Sequence, residues 1–145
     1  MPGLGTWVIV SSTARPVGCK ISNWASNIGA ISAASPRAYA RAGRLADGWF
    51  PQVPPGPMLD EARSMVEAGA TSAGRDIASL GMEGRVNWRD GDVERLVDHV
   101  GRWRGAGATH LSVNTMGAGF ASVDEHLVAL DTTATALDLA AGSVQ

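Results

Sequence analysis

The chain has 145 residues, 45% of them hydrophobic and 18% charged, so it is long enough for one domain and apolar enough to bury a core. Its 12 basic and 14 acidic residues leave a formal charge of -2, which argues against the broad basic footprint of a nucleic-acid or anionic-membrane binder and leaves room for a small, roughly neutral ligand. A closed eight-stranded (β/α) barrel takes about 250 residues, more than the chain holds.

The single cysteine, Cys19, allows no internal disulfide and no cysteine-rich metal site, and the expected compartment is the reducing cytoplasm. The segment Met1 to Val10 has neither a basic leader nor an apolar run of about 20 residues, so neither a signal peptide nor a membrane span is expected.

Within residues 1–27, Trp7-Val8-Ile9-Val10 can form a strand. Ser11 to Asn27 mixes Ser, Asn, Gly and Pro with few periodic apolar positions and reads as an atypical, poorly specified segment. From Ile28 onward short β-like runs alternate with helical stretches, the pattern of a parallel sheet with crossover helices.

The small-residue stretch Ile28 to Ser35 reads as a loop leading into a helix, which Ser35 caps and Pro36 opens. Tyr39, Ala42, Leu45 and Ala46 give that helix its packing face, and it is expected to end near Leu45. The run Ala46 to Pro51 reads as a buried strand stopped by the proline-rich turn Pro51 to Pro57. Pro57 opens a second helix with Leu59, Ala62, Val66 and Ala70 on one side and Gly74 as its stop.

Leu80 to Val86 follows as a strand. Asp92 then caps a helix with the stripe Leu96, Val100 and Trp103 and an expected Asp98–Arg102 pair, stopped at Gly105 or Gly107. Thr109 to Asn114 alternates as a strand, Thr115 to Gly119 forms a flexible loop, and Ser122 with Glu125 has the spacing of a capping box. The last helix is expected to point Leu127, Leu130 and Leu137 inward. Residues 28–139 therefore make about four β/α units, and residues 140–145 are expected to be a flexible tail.

In parallel α/β architectures ligands collect where strands end and helices begin. That selects the loops Ile28 to Ser35, Pro51 to Pro57, Val86 to Asp92 and Asn114 to Ser122. The first places backbone N–H groups at a capped helix start, a geometry that favours phosphate but serves tight packing equally well. His99, His110 and His126 lack metal-site spacing; His99 and His126 read as surface or helix-flank residues and His110, near the start of its strand, as structural. Asp47 and Glu83 are strand carboxylates with no sequence neighbour that makes either half of an acid/base pair. Trp49, Trp88 and Trp103 read as packing.

Three strings, Ser35-Pro36-Arg37-Ala38-Tyr39 with Arg41 to Pro51 (Arg-Ala-Gly-Arg-Leu-Ala-Asp-Gly-Trp-Phe-Pro), Gly81-Met82-Glu83-Gly84, and Gly107 to Gly117, resemble the C-terminal portion of the luciferase-like monooxygenase family, within it the members that look like coenzyme F420-dependent oxidoreductases. The resemblance covers about residues 28–139. It implies a partial (β/α) TIM barrel, the C-terminal half with parallel strands, that binds F420 or alternatively FMN at the strand C-termini and transfers hydride or oxygenates a small organic substrate. It also implies that Gly29, Ala30, Ser32 and Ser35 hold the cofactor's phosphate end, with no metal; it assigns no catalytic residue.

Residues 1–27 match nothing in the family's first half, so the expectation is a truncation, a shifted reading frame or a misplaced start. A half barrel would pair with a second copy as a homo-oligomer or aggregate. Two other readings follow from the same gap: a non-catalytic binding or assembly module, and an inactive remnant.

Overall fold

The computed structural model describes residues 7–11, 30–89 and 91–138. Expectations for residues 12–29, which include Cys19 and Gly29, and for the tail 140–145 lie outside them. The fold is mixed α/β: strands β1 (Trp7–Ser11), β2 (Ala30–Ala33), β3 (Gly48–Pro51), β4 (Gly81–Asn87) and β5 (His110–Asn114), with helices α1 (Pro36–Leu45), α2 (Pro57–Ser72), α3 (Val93–Gly105) and α4 (Val123–Ala136).

The sheet runs β1-β5-β4-β3-β2. From β2 to β5 each strand pairs in parallel with the next in sequence, and β1 closes the β5 side antiparallel, Ile9 opposite Ser112. The antiparallel β1 departs from an all-parallel barrel. A second correction concerns the first loop: Ala30–Ala33 is not a loop but strand β2, in register with Gly48 to Pro51 of β3.

Local chemistry sets the helix ends. Ser35 is extended and its Oγ accepts from Ala38 N at 3.3 Å, with Pro36 at the first helical position. Asp92 caps α3 through Arg95 N at 2.9 Å. Ser122 and Glu125 close a reciprocal capping box on α4, with the Glu125 carboxylate also accepting from Ala121 N. Those backbone donors hold the exposed Glu125 carboxyl below its ordinary pKa.

One face of the sheet carries Trp49, Met82, Val86, Leu111 and Val113, and buried residues of all four helices join them in a single apolar cluster. Strand alternation puts Phe50, Glu83, Arg85, Asn87, His110, Ser112 and Asn114 on the other face. Two glycines permit close approaches in the helical layer. A Cβ on Gly43 would strike the Val66 carbonyl of α2, and one on Gly84 would lie 2.5 Å from the Trp103 ring, so the indole rests directly on β4.

Three packing expectations need correction. Leu45 is 66% exposed, because α1 meets α2 through Ala42 and Gly43 and Leu45 falls on the flank at the helix end. Leu127 is 54% exposed: α4 buries Ala129 and Thr133, and Leu127 lies about 200° round the helix from Ala129, while Leu130 and Leu137 are half-buried. Asp98 and Arg102 do not pair; among the described residues the ion pair formed is Arg63–Glu67, at 3.1 Å.

Candidate functional site

Register decides where the sheet opens. β4 stays paired with β5 as far as Asn87 and Asn114, whereas its pairing with β3 ends at Trp49 and Met82. Beyond that point the run Phe50 to Pro55 leaves β4, and its prolines cannot donate to a ladder. A groove of about 400 Å³ opens between that run on one side and β4 with α3 on the other, within the size range of small-molecule sites.

The open edge of β4 is partly closed from α3: Trp103 Nε1 donates to the Arg85 carbonyl at 3.1 Å. Trp103 and Leu96 give the groove an apolar side, opposite Phe50 and Val53. Around them, among the described residues, stand Arg85, Arg89, Arg95, Arg102 and His99, with the acids Glu83 and Asp92. Asp92 already accepts the Arg95 N–H as a helix cap. Arg95, His99 and Arg102 fall at i, i+4 and i+7 of α3, which places them on one helix face.

Glu83 is the unusual member. The residue is 5% exposed, and its Oε2 is buried near the Ser112 hydroxyl of the neighbouring strand, with neither oxygen in a well-formed hydrogen bond. Burial pushes the Glu83 carboxyl above its ordinary pKa, with the Ser112 hydroxyl and the Arg85 charge opposing that shift. Next to Glu83 in the β4–β5 register is His110, whose Nδ1 lies 2.9 Å from Thr109 Oγ1 and whose pKa burial lowers. Perturbed titratable groups beside a concave, charged surface are what functional sites require.

A second hollow, of about 350 Å³, shares Asn87 and Arg89 and extends to Met116 and Gly117. Asn114 braces this rim: its Nδ2 donates to Asn87 Oδ1 at 2.9 Å, and its Oδ1 accepts from Met116 N at 3.0 Å. Behind the loop, Thr115 Oγ1 is fully buried and lies 2.7 Å from His126 Nδ1, whose ring meets Phe120 edge-on. His126, expected as a surface or helix-flank residue, is half-buried and bonded to the loop instead.

Of the four residues nominated from sequence, Gly29 lies outside the described residues and Ala30 and Ser32 belong to β2, opposite Gly48 and Phe50 in the register. Ser35 caps α1 and is not among the described lining of either hollow. The cap consumes donors: Ala38 N binds Ser35 Oγ, Tyr39 N binds the Ser35 carbonyl, and Pro36 has no N–H, which leaves that of Arg37 in the first turn. Two other loops selected from sequence, Pro51 to Pro57 and Val86 to Asp92, do flank the groove. Arg89, Arg95, His99 and Arg102 were missed as a set, although the helical spacing of the last three is legible.

Among the described residues no three His, Cys, Asp or Glu side chains come together to hold a metal ion, and no helix is long and apolar enough to cross a membrane. No protein-family model matches the chain, and no curated protein matches it.

Proposed function

We propose that the chain is the C-terminal portion of a luciferase-like (β/α)-barrel oxidoreductase, using coenzyme F420 or alternatively FMN to transfer hydride to, or oxygenate, a small organic substrate at the C-terminal ends of its strands. The observation that carries the reading is the winding. Strands β2 to β5 pair in sequence order, and the helices between them share one apolar cluster on a single side of the sheet. A barrel wall is wound this way, whereas a doubly wound sheet reverses its order and covers both faces. Polar residues on the opposite face, and two hollows at the strand ends, agree with a ligand on that rim.

The cofactor's phosphate fits poorly at the start of α1, where the described residues leave one open donor. No catalytic step is assigned to the cofactor. The second reading, a non-catalytic assembly module, is favoured by the exposed apolar residues Val123, Leu127 and Val128 of α4, 69%, 54% and 65% exposed.

The test is to purify the chain, measure its mass in solution and titrate F420 and FMN by fluorescence. Binding with turnover supports the oxidoreductase. Binding without turnover supports the module, and an aggregating chain that binds neither cofactor refutes both in favour of an inactive remnant.

A further inference from the structure

We propose that the groove between β3 and β4 is a binding site for the phosphate group of a small molecule, clamped by Arg89, Arg95 and Arg102 with His99 between the last two on α3. The chain is acidic overall, yet among the described residues four arginines and a histidine converge on one hollow with the acids Glu83 and Asp92, the second of which is engaged as a helix cap. Among the described residues Arg89, Arg95 and Arg102 have no ion-pair partner. Guanidinium groups match phosphate oxygens two at a time, so a set of this kind is chemically specific beyond its net charge.

The second observation is independent of the arginines. Glu83 lines the same groove, and its buried Oε2 makes no well-formed hydrogen bond, the nearby Ser112 hydroxyl included. A buried polar atom in a native fold is normally satisfied, and a hydroxyl on the ligand would satisfy this one. Phosphate for the arginines and a hydroxyl for Glu83 together describe a hydroxylated phosphate monoester. Phe50, Leu96 and Trp103 add apolar surface for its carbon skeleton. The groove's volume suits a compound of that size and not a polymer.

The phosphate has two possible sources, a free phosphorylated ligand or the phosphate of a flavin, and the site stands whether or not the oxidoreductase reading does. Trp103 lines the groove and reports on it by fluorescence. Glycerol 3-phosphate and inorganic phosphate are titrated against the whole chain, and FMN against riboflavin, which differ in the phosphate alone. Saturable binding of glycerol 3-phosphate, tighter than inorganic phosphate, is expected. The double variant R95E/R102E should weaken it by about tenfold or more, while R37E/R41E, on the exposed side of α1, should change it by less than about twofold.

If the flavin's phosphate is the occupant, FMN outbinds riboflavin and R95E/R102E removes the difference. If the occupant is a free ligand, FMN and riboflavin bind alike and glycerol 3-phosphate still binds. Circular dichroism checks that the exposed substitutions leave the fold intact, and R89E provides a second variant if they do not. The proposal is overturned if none of the phosphates saturates, if R37E/R41E weakens binding as much as R95E/R102E, or if a single-stranded DNA oligomer displaces glycerol 3-phosphate and binds more tightly.

Discussion

Replacing Gly43 by alanine tests the helical layer where intrinsic propensity and packing make opposite predictions. Propensity alone favours the change, since alanine in a helix interior is better than glycine by about 1 kcal/mol. At Gly43, however, the new Cβ would overlap the Val66 carbonyl oxygen and lie 2.7 Å from Ala70 N. Ordinary contact begins at 3.4 Å, so the Ala70 contact alone requires α1 and α2 to separate by about 0.7 Å, and the obstacle is backbone that cannot rotate away.

Overpacking of this kind costs about 1–3 kcal/mol, and a rigid obstacle places G43A at or above the upper end, for a net loss of about 2 kcal/mol after the propensity gain. At about 4 °C per kcal/mol for a chain of this size, the melting temperature should fall by about 8 °C. The internal control is G101A on α3, an exposed helical position with nothing within 4 Å of the new Cβ, where the same substitution should raise the melting temperature by about 2–4 °C. Gly69 faces the Ala40 carbonyl across the same crossing, so G43A and G69A together should cost less than their sum, because a helix pair once separated accommodates both. Thermal unfolding by circular dichroism reads the parent and all four variants. A G43A melting temperature at or above that of the parent refutes the close crossing.

Burial raises the Glu83 pKa, so the folded chain holds that proton more tightly than the unfolded one, and its share of stability is lost as pH rises from 4.5 through the raised value. E83Q should therefore be more stable than the parent at neutral pH and show a flatter pH profile in urea unfolding, and an unchanged profile would remove Glu83 from the buried set. His110 acts in the opposite sense: its lowered pKa makes stability fall as pH drops from 6.5 through the lowered value, and H110N should abolish that limb. S122A, which removes the cap on Glu125 N, should cost about 1 kcal/mol and show as faster amide exchange in the first turn of α4. W103F removes the donor to the Arg85 carbonyl and should cost about 1–3 kcal/mol in chemical denaturation; an isoenergetic variant would mean that the carbonyl is satisfied elsewhere.

Much of the fold is legible because its signals are local. Ser35, Asp92 and the Ser122–Glu125 box mark helix starts through side-chain hydrogen bonds that close within a few residues, Pro57 marks one through its fixed φ, and Gly74 ends α2 at positive φ. Leu45 and Leu127 were misread because their burial depends on which side of a helix meets a neighbour. α1 turned its smallest residues toward α2, and α4 buried alanine and threonine while leaving larger side chains outside. Strand β2 was read as a loop because Ala-Ile-Ser-Ala has little β character of its own; its strand state comes from pairing with β3.

The groove was less legible for the same reason at longer range. It exists because β3 leaves β4 after two paired positions, which no local pattern in Gly-Trp-Phe-Pro announces. Once the ladder stops, the free edge of β4 needs other partners, and Trp103 supplies one at the Arg85 carbonyl from α3. That hydrogen bond, and the absence of a Cβ at Gly84 beneath the indole, fix α3 against β4 at the split. The i, i+4, i+7 face bearing Arg95, His99 and Arg102 is thereby held beside the opening rather than turned to open solvent. Spacing alone identifies a basic helix face; the Gly84–Trp103 contact joins that face to Glu83 in one hollow.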